Sequence, residues 1–204
     1  MNYDELWPGG PRFRQAEGSF RLSTDSVLLA HFAADVRAKS VFDLGCGAGV
    51  LTVLLHVSHP DARVDGIEIQ PASAALCREN LAENGFDADG IHTGDLRAHR
   101  SLLQAGAYDL VVSNPPYFPS DSGYTAPAEN RAAARDERFC TLTAHGLEPK
   151  RLRTVQHRES SAPNLVLIEA RRGGKPGLAI EAPLILTAPD GSDSGEVKQI
   201  YHRG

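Results

Sequence analysis

SVFDLGCGAGVLTVLLHV, residues 40–57, is the stretch whose reading decides the fold. Ser40 to Leu44 reads as a strand, and Val50 to Val57 repeats apolar residues at helical spacing. Between them Gly45, Gly47 and Gly49 alternate, which is more glycine than a plain turn requires. Such a turn lets backbone approach a ligand closely at the carboxyl end of a parallel sheet. A dinucleotide fingerprint needs its third glycine three residues after the second, where Val50 stands. Glycines spaced by two, with Asp43 just ahead, suit a ligand that meets the loop with an amino acid moiety, its ammonium near a carboxylate.

Outward from this point, strand-like and helix-like segments alternate. RVDGIEI (63–69) reads as a second strand and PASAALCRENLAENG (71–85) as a helix, with Pro71 near its first turn and Gly85 as its stop. GIHTGDL (90–96) makes a third strand, a short helical piece covers about 98–105, and YDLVVS (108–113) is the fourth strand. This order predicts an α/β fold with a mostly parallel sheet and right-handed crossovers. Ahead of it lie a short β element and an amphipathic helix that Thr24 or Asp25 could cap before Val27, Leu28, Leu29 and Phe32. Behind it, LRTVQH (152–157) and NLVLIEARR (164–172) read as two strands joined by a turn, followed by one more apolar run, LAIEAPLIL (178–186).

The 204 residues suffice for one domain with a full core, and a net charge of -5 gives no bulk attraction to nucleic acid. Three cysteines, Cys46, Cys77 and Cys140, form no CxxC pair, which argues against a disulfide framework and a zinc site and for the reducing cytosol. The N-terminal residues lack the apolar core of a signal peptide, and no run approaches the ~18 apolar residues of a membrane span. The histidines show no metal-ligand spacing, and no metal is expected.

Glu68 ends the second strand about 20 residues beyond the glycines, where an acid can accept hydrogen bonds from both ribose hydroxyls. Asp95 ends the third strand, where it could accept from an adenine amino group. Each acid alone is as compatible with simple solvation. Three strand ends in register line one cleft and describe amino acid, ribose and adenine, the pieces of S-adenosylmethionine. With these residues the sequence resembles the class I S-adenosylmethionine-dependent methyltransferases. The resemblance implies a Rossmann-like three-layer sandwich and cofactor contacts from Asp43, Gly45, Gly47, Gly49, Glu68, Ile69, Asp95 and Leu96.

NPPY at 114–117 looks like the motif with which these enzymes methylate a planar exocyclic nitrogen: adenine N6, cytosine N4 or a glutamine amide. Asn114 and the Pro115 carbonyl would accept the two N–H groups, Pro116 would fix the corner, and Tyr117 would offer a stacking face. FRLSTDSVLLAHFA (20–33), SNPPYF (113–118), RAAARDE (131–137) and GLEPKRLRTVQHRESSAPNLVLIEARR (146–172) are together similar to the bacterial tRNA (adenine-N6)-methyltransferase group. That likeness implies methyl transfer to adenine N6 in RNA. Glutamine-amide or DNA-adenine methylation, and a binding remnant with little turnover, remain as alternatives. Between Lys150 and Lys175 seven basic residues face two acids, so Lys150, Arg151 and Arg153, with Arg135, are candidates for RNA phosphates.

The expected domain runs over 1–204, with 1–40 as a substrate-side extension, 41–118 as the cofactor core and 150–204 as terminal antiparallel strands. In one respect the sequence departs from the family. Only 34 residues separate Tyr117 from the strand near Leu152, which leaves no room for the family's fifth strand and reads as a deletion near Leu142–Thr143. The terminal pair is then expected to slide over and bond directly to 108–113, with low turnover.

Overall fold

In the computed structural model, residues 3–14, 24–98, 106–115, 147–175 and 177–203 are described. The chain divides into two compact units, Met1–Thr141 and Leu142–Gly204.

The first unit opens with β1 (Asp4–Glu5) and β2 (Arg12–Phe13), paired antiparallel, then α1 (Thr24–Ala33). Next come β3 (Ser40–Leu44), α2 (Val50–Ser58), β4 (Arg63–Glu68), α3 (Pro71–Glu83), β5 (Ile91–Thr93), a 3₁₀ turn (Leu96–Ala98) and β6 (Leu110–Val112). The four core strands are parallel, in the order β5-β4-β3-β6. Val41, Phe42 and Ile67 are essentially inaccessible, as strands buried on both faces require. α1 packs on α2 and α2 on α3. Leu51, Val53, Leu54 and Leu55 of α2 are all buried, which explains why that segment is apolar around its circumference.

Polar ties fix the strand register. Asp109 Oδ2 accepts from the Lys39 and Ser40 backbone N–H groups at 2.9 and 3.1 Å, where β6 enters beside β3. Tyr108 donates to Asp65 at 2.7 Å, and Arg63 pairs with the same carboxylate at 3.0 Å. Desolvation pushes the Tyr108 hydroxyl up to about 12, and the Asp65 bond and charge add to the shift.

The second unit is a hairpin, β7 (Leu147–Gln156) antiparallel to β8 (Pro163–Arg172), extended by β9 (Ala179–Ile180) and β10 (Leu184–Ile185), each parallel to β7. A short helix, α4 (Gly195–Ile200), closes it. Ser194 caps α4 by accepting the Val197 N–H at 3.2 Å. Val155, Leu167, Leu184, Val197 and Ile200 form its core.

The apolar run 178–186 holds two short strands, and α4 was not foreseen. One expectation needs correcting: the terminal pair does not bond to β6. β7 and β8 belong to a sheet of their own, and β6 pairs with β3 alone among the described residues. The physical reason is local pairing. The ten-residue hairpin strands find their further partners within Leu142–Gly204, where β9 and β10 both pair with β7. The segment on which the missing fifth strand was inferred lies outside the described residues. No helix among the described residues is long and apolar enough to cross a membrane.

Candidate active site

Chain order reverses beside β3: β4 and β5 lie on one side of it and β6 on the other. In open parallel sheets, ligands bind outside the carboxyl ends of the strands at this reversal. The two segments that leave the sheet here are the glycine loop after β3 and Asn114-Pro115 after β6.

The strand ends are laced together. Gly45 and Cys46 donate backbone N–H groups to the Ile67 carbonyl at 2.9 and 3.0 Å, and Gly94 donates to the Glu68 carbonyl at 2.9 Å. Ser113 Oγ donates to the Leu44 carbonyl at 3.0 Å, which ties the end of β6 to the end of β3. All three loop glycines have positive φ: 78° at Gly45, 54° at Gly47 and 87° at Gly49. They differ in what surrounds them. A Cβ on Gly45 or Gly47 would meet no atom within 4 Å, whereas one on Gly49 would lie 2.6 Å from Cys77 Sγ. Gly49 is thus a packing glycine, and Gly45 and Gly47 leave an open cradle of backbone.

Asp43 lies beneath this cradle, 1% exposed. Thr52 Oγ1 donates to its Oδ2 at 2.7 Å, while its Oδ1 is buried without a hydrogen-bond partner among the described residues. Desolvation pushes its carboxyl from 3.8 up to about 7; the Thr52 bond opposes the shift and the Glu68 charge reinforces it. The folded chain therefore holds this proton more tightly than the unfolded chain. The contribution of Asp43 to stability then falls as pH rises from about 4 to about 7 and stays unfavourable above that. Asp43→Asn should remove this slope. Its melting temperature relative to wild type is expected to be higher above pH ~7 than near pH ~4. Thermal unfolding across the range checks this, and an offset independent of pH would contradict it.

Glu68, 7% exposed, accepts from the Gly47 N–H through Oε2 at 3.0 Å and from the Gln70 N–H through Oε1 at 2.8 Å. Its carboxylate therefore bridges the glycine loop and the start of α3, with Ile69 between. Asp95 is held by its near neighbour: the Arg97 N–H donates to Oδ1 at 2.8 Å and Arg97 Nε to Oδ2 at 2.8 Å. The side-chain hydrogen bond from Arg97 lowers the Asp95 carboxyl below its usual range. Leu96 lies between these two in the 3₁₀ turn. Asn114 Nδ2 donates to Ser26 Oγ of α1 at 3.1 Å. Pro115 follows at the end of the described segment, and Pro116, Tyr117 and Arg135 lie outside the described residues.

The basic candidates of the second unit are engaged within it. Arg151 Nε donates to Glu169 at 2.9 Å, and Arg153 grips Glu196 with two bonds of 2.6 and 2.8 Å. Lys150 Nζ donates to the Lys175 carbonyl. Arg158, Arg171 and Arg172 are exposed.

Sequence reasoning missed two asparagines, Asn80 of α3 and Asn84 at the cap that ends it. Asn84 accepts the Arg12 N–H at 2.9 Å and donates to the Arg12 carbonyl at 2.8 Å. Asn80, fully buried, accepts the Arg14 N–H at 2.8 Å and donates both to the Arg14 carbonyl, at 3.1 Å, and to the Ala48 carbonyl, at 2.8 Å. The two amides thus act as a strand edge for residues 12–14, and Asn80 couples that segment to the glycine loop. Their spacing of four, which puts both on one helix face, was the available signal.

The sheet order, the reversal beside β3 and the glycine cradle together define a Rossmann-like methyltransferase fold. The sequence matches the family described as Methyltransferase small domain over residues 22–135, and the chain belongs to that family. A curated relative from Porphyromonas gingivalis, tRNA1(Val) (adenine(37)-N6)-methyltransferase, is 39% identical over 131 residues, covering 61% of this chain and 51% of the relative. The protein of the same name from Yersinia enterocolitica is 34% identical over 121 residues, covering 58% of this chain and 44% of the relative. The chain thus spans about half the length of the curated relatives it matches. The crystal structure of a predicted O-methyltransferase from Agrobacterium tumefaciens aligns with a TM-score of 0.61 at 20% identity, over 88% of this chain and 96% of that one, a likeness of fold.

Proposed function

We propose that the chain transfers a methyl group from S-adenosylmethionine to the N6 amine of an adenine in RNA, with tRNA as its substrate and the cytosol as its place of work. The observation that carries this reading is Asn114-Pro115 at the end of β6, across the chain reversal from the glycine cradle. The curated relatives, whose names specify adenine N6 in tRNA, favour RNA among the substrates that NPPY serves.

The residues at the cradle suit the cofactor. Gly45 and Gly47 leave room for backbone contact, and the bare Asp43 Oδ1 below them is a buried acceptor that an ammonium would satisfy. Glu68 would exchange its backbone partners for ribose hydroxyls, and Asp95 would turn from Arg97 toward an adenine amine. When bound, the cofactor supplies an electrophilic methyl group on its sulfonium. Asn114 and the Pro115 carbonyl would accept the two N–H groups of the substrate amine, whose lone pair is delocalised into the ring. As that nitrogen becomes tetrahedral both acceptors bind it more strongly, which stabilises the transition state above the ground state. Pro116 and Tyr117 would complete the corner for a flipped base. In this reading 41–118 is the cofactor core and 1–40 its substrate-side extension. Arg158, Arg171 and Arg172 suit RNA phosphates better than Arg151 and Arg153, whose partners are carboxylates of their own unit.

The test is methyl transfer from labelled cofactor to bulk tRNA, DNA and total protein in parallel. Label in tRNA recovered as N6-methyladenosine supports the proposal; label in DNA or protein alone refutes it. Glu68→Ala should weaken cofactor binding by about 1–3 kcal/mol, the range for a lost charged hydrogen bond. Calorimetric titration reads that loss, and unchanged affinity would place the cofactor elsewhere.

A further inference from the structure

An Asn side chain is nearly symmetric in shape, yet its two ends do opposite things. Oδ1 accepts and Nδ2 donates, and the torsion that exchanges them is broad and roughly two-fold. If Asn114 is to receive a substrate amine, only Oδ1 can face it, because Nδ2 would set N–H against N–H. Something must therefore take the Nδ2 end. In the structure it is Ser26, whose Oγ accepts from Asn114 Nδ2 at 3.1 Å from a position 88 residues earlier in the chain.

Ser26 is well placed to hold that end still. It stands in the first turn of α1, one residue before Val27 and Leu28, which are 3% and 1% exposed, and α1 packs on α2, the helix that follows the glycine loop. Asn114 is held from the other side of its backbone. The preceding residue, Ser113, is tied to the Leu44 carbonyl, and the following Pro115 restricts Asn114 to extended backbone. The amide is thus gripped at its backbone by β3 and at its Nδ2 end by α1.

We propose that Ser26 is a positioning residue for methyl transfer: by accepting the Asn114 Nδ2–H it fixes the amide with Oδ1 turned to the substrate amine. This rests on the function proposed above. It also gives the helix of the N-terminal extension a task in the chemistry that the glycine and NPPY motifs do not carry.

The test uses the full chain with Ser26→Ala, Ser26→Thr and Asn114→Ala. In Ser26→Ala, kcat should fall about 10- to 100-fold, the cost of a small misplacement at a reacting centre, with the cofactor Kd and the KM for tRNA unchanged. Ser26→Thr, which keeps the hydroxyl acceptor, should restore most of the rate. A second readout needs no turnover. In ¹⁵N-labelled protein, the Asn114 side-chain NH₂ pair, assigned by its loss in Asn114→Ala, should show slow exchange and well-separated proton shifts. Those features should collapse in Ser26→Ala and return in Ser26→Thr. An Asn114 pair identical in wild type and Ser26→Ala, or a loss of rate that threonine does not rescue, overturns the proposal. Absence of any transfer to tRNA by the wild-type chain refutes the assigned function instead, and the amide spectra still decide whether Ser26 holds Asn114.

Discussion

Asn114→Ala should lower methyl transfer to tRNA by about 10³-fold or more while cofactor affinity stays near that of wild type. In the proposed reaction the substrate amine is a poor nucleophile in its planar ground state, so catalysis would depend on acceptors that strengthen as its geometry changes. Removing one preorganised partner of a developing charge typically costs about 10²–10³-fold, and here the lost group also sets where the amine sits. A thousandfold loss corresponds to about 4 kcal/mol of transition-state stabilisation. Asn114 contacts α1 through Ser26 and is not part of the glycine cradle, so the cofactor side should not notice its truncation. Asn114→Asp keeps an acceptor oxygen and should retain more activity than the alanine variant. Single-turnover transfer and cofactor titration on the same preparations decide the matter. Loss of cofactor binding in Asn114→Ala would mean that the two halves of the site have been assigned the wrong roles.

What the sequence disclosed and what it withheld follow from the range of the interactions involved. Local signals were legible. The glycine turn between β3 and α2, Pro71 at the first position of α3 and the positive φ of Gly85 at its end all arise from neighbours in the chain. The apolar runs of β3 and β4 announced strands buried on both faces, and the alternation of elements announced their parallel sense; β6 reads the same way along the sequence, yet Val111 at its centre is 51% exposed and only Val112 is buried. Contacts between distant residues were not legible. Nothing near Asn114 advertises Ser26, and nothing near Arg12 advertises Asn84, because each is a side-chain bond across more than 70 positions. Charge was legible and its pairing was not: Arg151 and Arg153 stand out along the sequence as candidates for RNA phosphates, and the carboxylates that pair with them, Glu169 and Glu196, arrive only once β8 and α4 have folded. The helix α4 was missed because six residues hold too little periodicity to stand out, and its cap, Ser194, lies within a Gly/Asp/Ser loop.

The glycine loop offers a second large effect, one that separates folding from binding. Gly49→Ala should destabilise the chain by about 2–5 kcal/mol, a sizeable share of a typical domain's stability of about 5–15 kcal/mol. Two costs add. At φ 87° an alanine in the left-handed region costs about 1–2 kcal/mol. The new Cβ would also lie 2.6 Å from Cys77 Sγ and 3.1 Å from Cys77 Cα, and overpacking of that kind costs about 1–3 kcal/mol. The second contact matters more, since a sulfur can turn aside and the backbone of α3 cannot. Movement of Cys77 would pass on to Thr52, whose Oγ1 lies 4.0 Å from its sulfur, and so to Asp43, to which Thr52 donates. Gly47→Ala is the control. With φ 54° and no atom within 4 Å it should lose about 1 kcal/mol of stability, yet its Cβ would enter the cradle and weaken cofactor binding. Denaturant unfolding and cofactor titration of both variants should give opposite rankings, with Gly49→Ala worse in the first and Gly47→Ala worse, per unit of stability lost, in the second. Cys77→Ala in the Gly49→Ala background should recover part of the loss, as contacting residues couple in a double-mutant cycle. Equal midpoints for the two glycine variants would remove the distinction between a packing glycine and a ligand-facing one.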